Sequence, residues 1–457
     1  MTAKRIRASN TVPFGGYENR AARKENEKLT HVGPATPGGE YLRRFWHPVA
    51  LSSELTDIPK LIRVLGEDLI LFRDGSNRVG LLHRHCPHRG LSLEFGVCEK
   101  TGLRCAYHGW LFDIDGAVLE TPGEPPGSAA AERITGTLHH GAYPAFEREG
   151  IVFAYLGPPE KKPDFPVFDT YDIPGTERQP YTRDYPCNWV QITENAMDPV
   201  HAVFLHARVS GAQFAENWDQ LGVRDFYPRE TGFFYTNARR VGENIWVRLH
   251  EVVLPNLTHA GAVMSMDGRS PKYFGRNTFT RWVVPVDDTT TRVIGWLNYG
   301  DRTDPPKPEW RTEEGIDVIE GGMIRDRPAE DCQRAPGDYE AFVGQGPITS
   351  HADEHLMPTD RGVVMFRTRL LNDIGTVADG GDPFQPSDLG DAPLPTYCSD
   401  TVMAVPRDDN DLEGQILAHS RKVLEIIRSA DGLPDKQRYA TIEKRLRDLE
   451  ASYKANA

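Results

Sequence analysis

Cys86-Pro87-His88-Arg89-Gly90 and Cys105-Ala106-Tyr107-His108-Gly109-Trp110 decide the reading of this chain. Each stretch offers one thiolate and one imidazole. Two Cys-plus-His pairs are a ligand set for two metals. Thiolates are strong anionic donors that hold ferric iron, and neutral imidazoles on a second iron leave a cluster less negative and raise its potential above that of an all-thiolate cluster. The competing reading is one tetrahedral zinc held by two Cys and two His. Zinc-finger spacing keeps like ligands together, whereas here each stretch mixes the two types.

The order Cys-x-His then Cys-x-x-His, with Pro87, Arg89-Gly90 and Gly109-Trp110 beside it, resembles the two loops of a Rieske [2Fe–2S] centre. In such a centre each loop gives its Cys to one iron and its His to the other, so Cys86, His88, Cys105 and His108 are the expected cluster ligands.

Around these loops the chain is long enough, at 457 residues, for two or three domains. Its net charge is −13 with Lys and Arg dispersed, which argues against a nucleic-acid partner. Cys98, Cys187, Cys332 and Cys398 show no pairing pattern and read as small buried or partly buried residues in a reducing compartment. The basic start, Met1 to Arg7, has no apolar run behind it, and no stretch approaches transmembrane length. The expectation is a soluble cytoplasmic protein.

Residues 1–40 are polar and punctuated by Gly and Pro, an expected arm packing on the body or on a neighbour. Residues 41–160 form the expected cluster domain, an all-β unit of short strands at Leu61–Leu65, Leu69–Arg73, Gly80–Leu82 and Ile151–Leu156. Turns are expected at Asp74–Asn77 and Asp113–Gly116, and a loop at Pro122–Gly127. A linker is read at Gly157–Pro163. Residues 161–457 form the second expected domain. It has a helix over Trp189–His206, strands at Gly232–Val241, Asn244–Leu254, Asn277–Val286 and Thr291–Tyr299, and helices from Asp411 to Tyr453. Asp435–Glu450 is amphipathic and charged, a surface helix or a subunit contact. The class is α+β with an antiparallel sheet.

The second informative stretch runs from Asn188-Trp189 through Glu194-Asn195 and Asp198-Pro199-Val200-His201 to His206. Residues five apart on an ideal helix lie well over a right angle apart around its axis. His201 and His206 can face one metal only if the helix widens there or the metal sits in the angle between them. Asp198 precedes His201 by three residues and shares its face.

With both stretches in view, the chain resembles the α subunit of Rieske non-heme iron oxygenases over nearly its whole length. It looks closest to the branch of phthalate dioxygenases and aromatic O-demethylases. The resemblance implies a helix-grip-like catalytic domain and a mononuclear Fe(II) held by two His and one carboxylate. His201 and His206 match the histidines. Asp338, seven residues before Gln345-Gly346-Pro347-Ile348, is assigned as the carboxylate, with Glu340, Asp331 and Asp353 as nearby alternatives. The family often has Asp-Arg where this chain has Ser350-His351. Asp198 is the expected bridge between His108 of one subunit and His201 of the next, and Asn195 is expected to shape that route or the iron pocket. Trp189 and Gln191 read as packing and hydrogen-bonding residues, Arg89 and Trp110 as shields of the cluster loops, and His83 and His85 as non-ligands.

The resemblance further implies a terminal oxygenase fed with NAD(P)H electrons by a separate ferredoxin or flavin reductase, since no Gly-x-Gly-x-x-Gly turn is present. A cyclic homotrimer is expected, because a cluster and an iron in separate domains of one chain lie too far apart for quick electron transfer. The expected reaction is O-demethylation of a methoxylated aromatic acid, with cis-dihydroxylation of a phthalate-like acid as the alternative. Of Arg239, Arg240, Arg248, Arg276 and Arg281, one or two are expected to point inward and clamp a carboxylate while most face water. Two non-enzyme readings stand beside this: a Rieske electron carrier and a zinc-stabilised binding protein.

Overall fold

The computed structural model describes residues 13–14, 24–173, 175–210, 217–261, 267–304, 327–390 and 392–455. The expected arm falls mostly outside these residues. From Lys24 on it packs against the body: the Trp189 indole N–H donates to the Leu29 carbonyl (3.1 Å) and the Asn188 side chain to the Thr30 carbonyl (2.8 Å).

The first part of the chain is built of short antiparallel strands. Lys60–Val64, Glu67–Arg73, Val79–His83 and Ala142–Tyr143 form one sheet, and Trp46–Leu51, Ile151–Tyr155 and Ala145–Arg148 another. A third, of Val97–Glu99, Gly102–Arg104, Leu111–Phe112 and Val118–Glu120, carries the second cluster loop. A helix at Ala129–Thr137 follows the expected Pro/Gly loop, started by the Ser128 hydroxyl accepting from the Ala131 N–H. Its short polar sequence carries little periodicity to read.

The remainder is organised around a nine-stranded antiparallel sheet. Gly232–Val241 and Asn244–Val253 are its central hairpin, joined through Gly242 with φ at 58°, which a two-residue turn of this kind requires. Alternation sends Phe234, Ala238, Ile245, Val247 and Leu249 to one face. There they pack with Val423, Tyr439, Ile442 and Leu446 of the helices Leu412–Arg428 and Asp435–Ala455. The charged C-terminal helix is therefore amphipathic as read, with its apolar stripe on this sheet. The opposite face carries Tyr235, Asn237, Trp246, Arg248 and His250 toward the candidate site.

Coverage on both faces corrects one expectation. All five arginines named from the sequence are buried, between 0 and 9% exposed. Arg276 and Arg438 share Asp169 with the Thr396 hydroxyl in a buried ion-pair cluster that seats the last helix on the sheet. Arg240 donates to the Val405 carbonyl and to the Gln415 side chain. Alternation does send successive residues to opposite faces, but helices cover the face that would otherwise meet water.

The Trp189–His206 stretch is helical as read, but in pieces. Trp189–Asn195 ends ahead of Pro199, a short helical turn covers His201–Val203, and Phe204–Val209 is a π-helix. Pro199 cannot donate to a helix ladder and disfavours helix at the residue before it.

Candidate metal centres and active site

The two cluster loops are near copies of each other. The Gly90 N–H donates to the Cys86 carbonyl (2.8 Å) and the Gly109 N–H to the Cys105 carbonyl (3.0 Å). The Cys86 N–H bonds the Leu91 carbonyl (2.9 Å) and the Cys105 N–H the Trp110 carbonyl (2.8 Å). Both closing glycines take positive φ, 77° and 73°. Cys86 and Cys105 are buried while His88 is exposed and His108 half-buried. Burial pushes the Cys86 thiol up to about 11, against the pull of the His88 and Arg89 main-chain N–H groups aimed at its sulfur. A bound cation would reverse that balance and favour the thiolate.

Trp110 stacks on His88, 4.8 Å between ring centroids and 2° between planes, and Arg89 lies over Tyr107, beside His108. His85 Nδ1 bonds the Gly90 carbonyl (3.0 Å) and His83 stacks edge-on against His140 and Tyr143, so neither joins the ligand set. The four candidate ligands pair as sulfur with sulfur and imidazole with imidazole, the two ring centroids 4.5 Å apart. Ligands of one tetrahedral zinc would all lie about 3.5–4 Å from one another. Among the described residues, the group of three or more ligand atoms lying within 4.8 Å of one another is a different one, described next. The loops therefore fit a two-iron cluster better than a single zinc.

That group is His201, His206 and Asp338. The wide π turn swings His206 back toward His201, and the rings stand 5.4 Å apart. His206 Nε2 is 3.0 Å and His201 Nε2 3.7 Å from Asp338 Oδ1. Ligand atoms on adjacent positions about 2.1 Å from one metal sit about 3 Å apart, so the three fit a facial triad. Asp338 opens the helix Asp338–Val343, where the helix dipole favours a carboxylate. Its burial raises its pKa, but His206, His201 and Arg281 outweigh that and hold it down at about 2.

The alternatives are otherwise engaged. Glu340 caps its own helix by accepting from the Gly337 N–H (2.7 Å), Asp353 accepts from the Ser350 hydroxyl (2.6 Å), and Asp331 is exposed. Ser350 and His351, where the chain departs from the family pattern, seat the N-terminal segment: Ser350 Oγ accepts from the Lys24 N–H and His351 Nδ1 from the Asn26 N–H. Gln191, on the preceding helix Trp189–Asn195, is tied to the helix that carries Asp338 and to the loop after it. Its amide donates to the Phe342 and Gly346 carbonyls and its Oε1 accepts from the Thr349 N–H (2.9, 3.1 and 3.0 Å).

Asp198 sits behind His201. Its main-chain carbonyl accepts from His201 Nδ1, and its carboxylate, 3.7 Å from the same nitrogen, accepts from the Val200 N–H. The His201 Nδ1 bond thus runs to the carbonyl rather than to the side chain. Asp198 is 29% exposed and reachable from outside.

A cavity opens against the triad, lined by Asn195, His201, His206 and Asp338 and walled by Trp218, Tyr235 and Phe279. Two of the five arginines, Arg248 and Arg281, reach it. Arg248 lies over Trp218 (4.6 Å) with Asp400 3.8 Å away, and Arg281 lies over Phe279 (4.7 Å). Arg239 stands behind, between Trp218 and Trp246, its pKa lowered to about 10 by burial and by Arg248. His250 also lines the cavity. Sequence reasoning missed it; a histidine alternating with Arg248 and Trp246 on one strand was the available signal.

A Rieske [2Fe-2S] domain model matches residues 45–140. The tert-butanol monooxygenase / tert-amyl alcohol desaturase oxygenase subunit of Aquincola tertiaricarbonis is 39% identical over 97% of this chain and 98% of its own length. The phenoxybenzoate dioxygenase subunit alpha of Ectopseudomonas oleovorans is 39% identical over 78% of this chain and 86% of its own. The 5,5'-dehydrodivanillate O-demethylase oxygenase subunit of Sphingobium sp. is 34% identical over 83% and 88%. The crystal structure of dicamba monooxygenase bound to dicamba shares the fold, with a TM-score of 0.56 at 19% identity over 74% of this chain and 99% of that one. This chain belongs to the Rieske non-heme iron oxygenases as a terminal α subunit, a protein that works with a [2Fe–2S] cluster, a mononuclear iron and electrons supplied by a reductase.

Proposed function

We propose that this oxygenase acts on an aromatic carboxylic acid, and that its reaction is O-demethylation of a methoxylated one. The observation that carries the reading is the charge around the cavity. Arg248 and Arg281 stand on the cavity wall, and Arg239 stands behind them between Trp218 and Trp246. Guanidiniums on the wall suit a carboxylate, and the Trp218, Tyr235 and Phe279 rings suit an aromatic body. The likeness to a phenoxybenzoate dioxygenase and to a dehydrodivanillate O-demethylase supports the acid; the likeness to a tert-butanol monooxygenase supports oxidation at an alkyl carbon.

We assign Cys86, His88, Cys105 and His108 to the cluster and His201, His206 and Asp338 to the iron. When bound, these groups supply single electrons and oxygen activation. The chain's own residues place the substrate. Arg248 and Arg281 hold its carboxylate, the aromatic wall orients its ring, and Asn195 narrows the side nearest the triad. Hydroxylation of a methoxy carbon then gives a hemiacetal that releases formaldehyde. The balance is one methoxy acid, O₂, NAD(P)H and a proton going to hydroxy acid, formaldehyde, NAD(P)⁺ and water.

The active assembly is a homotrimer in which Asp198 meets His108 of a second copy. The exposed cluster loop, together with apolar side chains exposed beside it (Phe95, Tyr107) and on the turn that carries His206 (Phe204), supports a covered interface. The division into residues 41–160 and 161–457 is proposed with it.

The test is turnover of a panel of aromatic acids with a surrogate reductase. Formaldehyde from a methoxybenzoate is expected. A cis-diol from an unsubstituted acid supports the dioxygenase alternative instead, and turnover of neutral alcohols with no acid accepted contradicts the acid assignment.

A further inference from the structure

Glu194 belongs to the stretch that leads into Asp198, yet it is neither in the metal-ligand group nor on the cavity wall. It is 8% exposed, on the last turn of the helix Trp189–Asn195. The Met197 N–H donates to the Glu194 carbonyl (2.9 Å) and the Asp198 N–H to the Asn195 carbonyl (3.0 Å). The helix end therefore runs into Asp198 as one tight turn. The Asp198 carboxylate accepts from the Val200 N–H (2.9 Å), so it moves with that turn rather than swinging free.

The helix Arg361–Ala378 holds the turn at two points. Arg367 Nε and Nη2 donate to the two Glu194 carboxylate oxygens (2.6 and 2.7 Å). The same guanidinium reaches both oxygens of Glu354, through Nη1 and through Nη2 (2.9 Å). Gly362 lies against Met197: an added Cβ would come 2.2 Å from the Met197 carbonyl oxygen and 2.6 Å from the Phe226 ring. Burial pushes the Glu194 carboxyl up, Arg367 pulls it down, and Glu354 and Asp198 push it up again. Asp198 is thus near enough for its charge to oppose that of Glu194, and Arg367 offsets the opposition. A buried ion pair adds little net stability, because both charges leave water. A fork on two oxygens fixes direction, which the single ammonium of a lysine does not.

We infer that Arg367 and Gly362 are positioning residues for cluster-to-iron electron transfer: they set where the Asp198 turn stands, and so whether its carboxylate meets His108 of a second copy. The inference rests on the proposed Asp198 bridge and names what aims it. Neither residue is a proposed ligand or lines the cavity, so both act through the turn alone.

The test uses the full chain with both metals loaded, and compares wild type, Arg367→Lys, Gly362→Ala and Asp198→Asn. The oxidised protein is flash-photoreduced at its cluster without O₂ or substrate, and the decay of the reduced-cluster absorbance follows the electron to the ferric mononuclear iron. Arg367→Lys keeps a charge opposite Glu194 but loses the fork; Gly362→Ala tests the same support from the other contact. Each should slow the decay about tenfold at full cluster and iron occupancy, with the oligomer unchanged. Hydrogen exchange of the peptide 194–203 should quicken in both, independently of electron transfer. Wild-type decay in both variants, with Asp198→Asn slow, overturns the inference and leaves the bridge standing. A deficit that vanishes on reloading with iron also overturns it, because the residues then only help to retain the metal. Wild-type decay in Asp198→Asn overturns the bridge itself.

Discussion

The cluster loops and the iron triad are both metal sites, but they are built in opposite ways. The four proposed cluster ligands lie between residues 86 and 108, in two short turns that each close on themselves through a main-chain bond to a glycine. The three proposed iron ligands lie between residues 201 and 338, on a π turn and at the first position of a separate helix. The first site is local geometry, partly exposed. The second is tertiary geometry, with His206 fully buried and Asp338 7% exposed. A local site depends on the conformation of its own loop. A tertiary site depends on everything that holds its surroundings together, and Gln191 ties the helix that leads into the histidine turns to the segment that carries Asp338.

The most severe test of the separation is His206→Ala. It should abolish turnover and lose the mononuclear iron while the red cluster spectrum stays intact; loss of both centres together would mean that the two sites are not independent. Next is Asp198→Asn, which attacks the proposed link between the sites. Both metals and the oligomer should remain, and oxidation of the reduced cluster by O₂ with substrate present should slow about 10–100-fold in rapid mixing. A wild-type rate would remove Asp198 from the route.

Gln191→Ala sharpens the contrast. It alters none of the proposed ligands but deletes three hydrogen bonds that tie the helix Trp189–Asn195 to the Asp338 helix and the loop after it. Iron affinity should fall about tenfold while cluster content is unchanged. The smallest effect belongs to Gly90→Ala. An added Cβ at this position meets nothing within 4 Å, so only the positive φ opposes it. Stability should fall by about 1–2 kcal/mol with the iron site untouched, measured by thermal unfolding.

The same contrast governs what could be read from the sequence. The cluster loops were legible because ligand identity, spacing and closing glycines are all contiguous. His201 and His206 were legible as a pair, with the condition that the helix widen, and the π turn meets that condition. Asp338 could be named only through the family resemblance, since nothing local marks one acid among Asp331, Asp338, Glu340 and Asp353. Engagement of Glu340 as a cap and Asp353 with Ser350 separates them in three dimensions. The long aromatic and β-branched strands and the C-terminal helices were visible, but not the docking of those helices on the far side of the sheet, so most of the arginines were read as facing water. Strands such as Glu177–Tyr185 and Ser399–Ala404 went unread, since polar residues and a proline mask a period that only pairing with neighbours enforces.

The central claim is that one chain holds two separate iron sites. Iron, zinc and acid-labile sulfide analysis of the anaerobically purified full chain tests it most directly. Three irons and two sulfides per chain, with no stoichiometric zinc, is the predicted result. Two irons with two sulfides would reduce the protein to an electron carrier, and one zinc without sulfide would contradict the account altogether.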